Sequence, residues 1–183
     1  MLNLEYAKTV TGWMNPAEME WLASQAKVRL LIAEIGSWMG RTTCALADNT
    51  SGTVYAVDTW KGSEEHQQLL AEKGEDWLYL EFLKNVGARA ESGNVVVTRK
   101  PSLEAAAEFA ARGLKLDMIF IDAAHDYDNV KADILAWRPL LAIGGLFCGH
   151  DFDAGRVGVV KAVKELVSEY PARPAGSIWV ANV

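Results

Sequence analysis

Six short apolar runs, separated by stretches of helical periodicity, constrain this chain more than any other feature. Val28–Ile35, Thr53–Asp58, Asn94–Thr98, Leu116–Asp122, Gly145–His150 and Ser177–Asn182 read as strands. Helical signals fill the gaps. Asn15 can cap a helix with Pro16 at its first position and Glu18 in its first turn. Arg41 to Ala47 reads as a helix, and Ser63 to Ala90 as two helices broken near Gly74. Ser102 to Ala111 is a helix with Gly113 as its stop. Val130, Ile134 and Trp137 share one helical face, as do Val159, Val163, Leu166 and Tyr170. Strands that alternate with helices form βαβ crossovers. The expected fold is therefore α/β: a doubly wound, mostly parallel sheet with helices on both faces. One domain spans residues 1–183, with residues 1–27 packing on the core as a helical segment and residues 61–93 inserted between strands two and three.

Composition narrows the class. Half of the residues are hydrophobic and 23% are charged, which excludes general disorder. A net charge of −6 disfavours binding to phosphate backbones, so no nucleic-acid partner is expected. The two cysteines, Cys44 and Cys148, form neither a disulfide framework nor a zinc finger. No apolar run is long enough to cross a membrane, and the first residues lack a secretory pattern. A soluble, cytoplasmic protein is the expectation.

Parallel sheets bind ligands beyond the carboxyl ends of their strands. Here those ends carry Glu34, Asp58, Asp122, His150 and Asp151. After the first strand runs Glu34-Ile-Gly-Ser-Trp-Met-Gly-Arg-Thr-Thr43, a glycine turn entering a helix. Gly36 and Gly40 admit a sharp turn and a close ligand. The spacing is neither the GxGxxG dinucleotide fingerprint nor a phosphate-binding P-loop. Glu34 suits a ligand with a cationic centre, and Asp58 can accept two ribose hydroxyls. Together they describe a nucleoside ligand without a pyrophosphate. Of the three histidines, His125 and His150 fall with Asp122 and Asp151 at adjacent strand ends, where general acid–base chemistry or metal binding is possible. His66, in a polar run, reads as part of a solvated helix face.

In these motifs the chain resembles the class I S-adenosylmethionine-dependent methyltransferases, in particular the branch with macrocin O-methyltransferase and cephalosporin-hydroxylase-like proteins. The resemblance rests on Gly12-Trp-Met-Asn-Pro16, the loop Glu34–Thr43, and Val57-Asp-Thr-Trp60. It continues through Ile121-Asp-Ala-Ala-His-Asp-Tyr127, Gly144-Gly145 and Gly149-His-Asp151. It implies a Rossmann-like fold and S-adenosylmethionine as cofactor. Glu34, Gly36, Ser37 and Gly40 would then surround its methionine part, with Asp58 and Thr59 at the ribose and Asp122 toward the sulfonium. Trp60 either packs beside the adenine or belongs to the core. Ser102 either meets the adenine edge or caps its helix. Trp13 and Met14 are candidates for a flap over the pocket.

The reaction implied is methyl transfer to a hydroxyl of a small-molecule acceptor. His125 is the first candidate for general base, with Asp122, His150 and Asp151 as further catalytic candidates. A divalent cation, magnesium or manganese, could be held by Asp122 and Asp151. Metal-dependent relatives resemble an acidic pair at the fifth strand end, where this chain has His150-Asp151, and histidine favours transition metals. The Lys61–Gly93 insertion, which contains Trp77–Phe82, is a candidate acceptor wall or homodimer contact. Two other functions suit such a sheet: an NAD(P)-dependent oxidoreductase, against which the missing GxGxxG counts, and a catalytically silent nucleoside-binding domain.

Overall fold

The computed structural model describes residues 1–63, 66–74 and 76–181. Its sheet has the order β3-β2-β1-β4-β5-β6. The strands are β1 (Leu31–Ile35), β2 (Thr53–Asp58), β3 (Val95–Arg99), β4 (Leu116–Ile121), β5 (Leu141–Gly149) and β6 (Trp179–Val180). All neighbouring pairs are parallel except β5 with β6. Helices α1 (Pro16–Ala26), α2 (Arg41–Ala47), α3 (Gln67–Lys73) and α4 (Trp77–Glu91) fall before β3. Then follow α5 (Ser102–Ala111), α6 (Tyr127–Trp137) and α7 (Val157–Leu166).

Alternation along each strand divides the core in two. Ile32, Val54, Ala56, Met118 and Phe120 face α1, α2 and α4. Ala33, Ile35, Tyr55, Val57, Ile119 and Ile121 face α5, α6 and α7. Strands buried on both faces need nearly continuous apolar sequence, which explains why these runs are legible. Segment 1–27 packs in the first of these cores through Leu4, Ala7, Met19, Leu22 and Ala26. Its helix is fixed by a capping box: Asn15 Oδ1 accepts from the Glu18 N–H, and Glu18 Oε2 accepts from the Asn15 N–H.

Several boundaries depart from the sequence reading. Strand β1 begins at Leu31, because Val28 and Leu30 lie exposed on the turn leaving α1. Strand β5 starts earlier, at Leu141, and its register against β4 shifts between Leu116 and Met118. Gly144 sits at φ +76° beside the fully exposed Ile143, so the β5 start is irregular rather than a loop. Helix α7 stops at Leu166, and Tyr170 lies beyond it in solvent. Asn182 lies outside the described residues, as do Glu64, Glu65 and Glu75 of the inserted segment.

Strand order reverses between β1 and β4, and the crevice at that reversal is where such sheets hold ligands. Gly36 closes its floor. At φ +91°, a Cβ on Gly36 would lie 2.1 Å from the Asp122 carbonyl oxygen, so the two strand-end loops touch as bare backbone.

Candidate active site

A cavity of about 770 Å³ opens over the carboxyl ends of β1, β2, β3, β4 and β5. That volume suits a cofactor-sized ligand. Gly36, Ser37, Asp58, Thr59, Ser102, Asp122, His125, His150 and Asp151 all line it, so the fold brings most of the sequence candidates to one place. Among the described non-glycine residues, positive φ occurs at Trp38, Trp60 and Asp151, each in a loop leaving one of these strands. Strained backbone of this kind collects where loops are shaped for a ligand.

Asp58 organises the glycine turn. Its Oδ2 accepts from the N–H groups of Ser37 (2.9 Å) and Trp38 (3.0 Å), and its Oδ1 from that of Trp60 (2.7 Å). Burial raises its pKa, and these N–H groups partly offset the effect. The carboxylate that the sequence assigns to ribose thus also ties the first two strand-end loops together.

Glu34, Gly40 and Trp60 lie outside the lining of this cavity. Glu34 is buried beneath the turn, where its Oε2 accepts from the hydroxyls of Ser37 (2.8 Å) and Thr43. Burial pushes this carboxyl up to about 8; the two hydroxyls offset it, and the charges of Asp122 and Asp58 add to it. At neutral pH it is mostly protonated, so it offers no charge to a cationic ligand. Among the described residues, its Oε1 and, separately, Trp38 Nε1 are buried without a hydrogen-bond partner. Gly40 caps α2 in the left-handed region, where an added Cβ would lie 3.0 Å from Val86 Cγ1 and 3.2 Å from Phe82 Cδ2. Trp60 is fully buried against Tyr79 and Phe82, and its Nε1 donates to the Trp38 carbonyl. Of the two places open to Trp60, the core is the one it takes.

The sequence reading missed His66. Its ring packs against Trp38, with centroids 4.3 Å apart, and against Trp13 at 5.2 Å. All three rings line the cavity mouth, and Trp13 remains 68% exposed. Polar neighbours in sequence hid this contact, because the partners come from two other loops. Trp13 and Met14 border the cavity, where a flap would be. Arg41 anchors that segment by donating to the carbonyls of Val10 and Gly12.

The ionisable cluster stands at the ends of β4 and β5. His125 Nε2 lies 3.0 Å from Asp151 Oδ2. His150 Nε2 lies 2.9 Å from the Ser177 hydroxyl and 3.2 Å from Glu18 Oε1. Its Nδ1 is 3.5 Å from both Asp122 Oδ1 and Asp151 Oδ1, too long for strong hydrogen bonds. Burial disfavours the His150 cation, yet Asp122, Asp151 and Glu18 outweigh it and push the pKa up to about 12. Burial also acts to raise Glu18, but His150 and the N–H groups of Ser177 and Asn15 bring it down to about 2. Asp151 likewise ends below the usual carboxylate range because His125 and His150 outweigh its burial. Asp122 is raised by burial, with His150 opposing. Glu18 gave no sequence signal beyond its helix cap; only the fold brings α1 against the loop before β6.

One inward atom each from Asp122, His150 and Asp151 lies within 4.8 Å of the others, a spacing open to a metal ion. The His150 nitrogen turned away from the cluster is backed by Ser177 and Glu18, as the outer nitrogen of a metal-bound histidine usually is. The set of one nitrogen and two carboxylate oxygens fits manganese better than magnesium.

The sheet order, the glycine turn and the cavity at the strand reversal define the Rossmann-like α/β architecture of class I methyltransferases. A family model described as a methyltransferase domain matches residues 33–152, and the chain belongs to that family. Solved structures share the fold at low identity. CalS11, a TDP-rhamnose 3'-O-methyltransferase of calicheamicin biosynthesis, is 17% identical, with a TM-score of 0.63 over 93% of this chain and 82% of its own. The O-methyltransferase from Bacillus cereus in complex with SAH is 21% identical, with a TM-score of 0.63 over 89% and 72%. The precorrin 8W decarboxylase from Methanobacterium thermoautotrophicum is 15% identical, with a TM-score of 0.61 over 91% and 77%. The chemistry must therefore be argued from the site rather than from the fold. Among the described residues, no helix is long and apolar enough to cross a membrane.

Proposed function

We propose that this methyltransferase moves the methyl group of S-adenosylmethionine to a hydroxyl of a small-molecule acceptor. The observation that carries the reading is the pairing, in one cavity, of the Asp58-tied glycine turn with the His125–Asp151 couple. Backbone at Gly36 and Ser37 meets the methionine part, and Asp58 and Thr59 meet the ribose. Ser102 stands toward the base, and Asp122 toward the sulfonium. The acceptor enters past Trp13, Trp38 and His66. His125, oriented by Asp151 through Nε2, takes the hydroxyl proton. The oxygen forms its bond to the methyl carbon as the sulfur–methyl bond breaks, and S-adenosylhomocysteine departs. Alignment of oxygen, carbon and sulfur supplies much of the acceleration. Family membership favours this reading over an NAD(P)-dependent oxidoreductase.

A divalent cation belongs to the same proposal. Asp122, Asp151 and the Nδ1 of His150 would hold it, and it would lower the pKa of an acceptor hydroxyl. Without a cation, the His150 imidazolium and Arg156, whose Nε lies 3.8 Å from Asp151 Oδ1, bring positive charge to these carboxylates. The deciding experiment is transfer of tritiated methyl to sugar, phenol and carboxylate acceptors, with EDTA or with added manganese or magnesium. Labelled ether on a hydroxyl acceptor supports the reading. Label confined to carboxylates, or none with any acceptor, contradicts it.

A further inference from the structure

The apolar side chains of the cavity have no part in the methyl-transfer scheme beyond marking an entrance. Trp13, Trp38 and His66 meet at the mouth as a three-ring cluster, with the Trp13 and Trp38 centroids 5.1 Å apart. A tryptophan that serves only the core is buried, as Trp60 is, yet Trp13 keeps 68% of its surface exposed. Trp38 holds its place at φ +48°, a conformation that costs a bulky residue about 1–3 kcal/mol. At the reacting end, Ala123 and Ala124 line the cavity between Asp122 and His125. The two residues leading up to the base thus offer methyl groups rather than donors or acceptors.

Several polar side chains near these surfaces are already committed. Arg41 donates to the carbonyls of Val10 and Gly12, the Ser63 hydroxyl shares a hydrogen bond with His66 Nδ1 at 2.8 Å, and Asn129 Nδ2 donates to Asp126. Among the described residues, no carboxylate or amide side chain lines the cavity from segments 11–14 and 36–42. A sugar can stack on tryptophan, but each further hydroxyl left unpaired in such surroundings costs about 1–3 kcal/mol. A flat aromatic ring presents two apolar faces and needs polar partners only at the hydroxyl that reacts. Acidity points the same way. A phenol, at about 10, lies about 3.5 above an ordinary imidazole, whereas water, at about 15.7, lies about 9 above it. We propose that the acceptor is a phenol, its ring carried on Trp13, Trp38 and His66 and its hydroxyl delivered to His125. This rests on the methyl-transfer reading above and narrows its acceptor from any small hydroxyl compound to an aromatic one. The phenolic proton passes to His125, the oxygen bonds to the methyl carbon as the sulfur–carbon bond breaks, and the products are an aryl methyl ether and S-adenosylhomocysteine.

The test is calorimetric titration of the protein loaded with S-adenosylhomocysteine, using 2-naphthol and its saturated counterpart, decahydro-2-naphthol. Both ring systems are apolar, so the comparison reads the flat π face rather than hydrophobicity alone. The wild-type protein binds 2-naphthol tighter by about 10-fold or more. Trp13→Ala weakens 2-naphthol by about 10-fold, and Trp13→Phe, which restores a flat ring, stays within about 3-fold of wild type. In the tritiated-methyl assay, kcat/KM for 2-naphthol exceeds that for methyl glucoside. Equal affinity for the two naphthols overturns the proposal, as does unchanged 2-naphthol affinity in Trp13→Ala or a higher kcat/KM for the glucoside. A protein that binds S-adenosylhomocysteine but not 2-naphthol loses this inference alone, whereas one that does not bind S-adenosylhomocysteine loses the methyl-transfer reading as well.

Discussion

Replacing Glu34 by glutamine tests the buried ground beneath the cofactor turn. In the folded protein this carboxyl titrates near 8, against 4.5 when free. Between those values the folded state holds a proton that the unfolded chain has released. Stability from this group is therefore fully present at low pH and is lost as pH rises through the folded value. Integrated from about pH 5 to about pH 9, the loss is about 4 kcal/mol. Glutamine is neutral throughout, and its carbonyl can still accept from Ser37 and Thr43. Urea unfolding of both proteins across that range gives the difference directly. The two stabilities should lie close at the acid end, and the variant should become the more stable by several kcal/mol at the alkaline end. Parallel pH profiles would refute the argument, because they would mean that Glu34 is ionised and solvated in the native state.

Three further outcomes follow from the geometry. Gly36→Ala places a Cβ against the Asp122 carbonyl at positive φ, so it should cost at least about 2–4 kcal/mol in urea unfolding and abolish S-adenosylhomocysteine binding. His125→Ala should lower methyl-transfer kcat far more than it weakens cofactor binding; an equal loss in both would assign His125 a structural role. Trp60→Ala should destabilise by about 3–5 kcal/mol because Trp60 is core, whereas Trp13→Ala should leave thermal stability nearly unchanged and raise the acceptor KM.

Much of the fold is legible because its strands are buried on two faces. Ile32, Ala33 and Ile35 are apolar whichever way they point, so β1 stands out although it starts later than read, and β2 and the short helix α2 take the limits read for them. The irregular start of β5 escapes such reading, since Gly144-Gly145 signals a turn and only its pairing with β4 shows a strand. In the site, residue type at a strand end locates the cluster of Asp122, His125, His150 and Asp151. Sequence does not tell which side of the loop a group faces. That is why Glu34 reads as a ligand group although it points into the protein, and why Trp60 remains open between base and core. Contacts made across the chain are silent until it folds: Glu18 with His150 and Ser177, His66 with Trp13 and Trp38, Ser102 with Asp133.

A crystal structure of the protein soaked with S-adenosylhomocysteine tests the central claim most directly. The account predicts ribose hydroxyls on the Asp58 carboxylate, the sulfur above the Gly36–Ser37 turn toward Asp122, and the base toward Ser102. Density for the ligand elsewhere, or an empty cavity at saturating ligand, would contradict it.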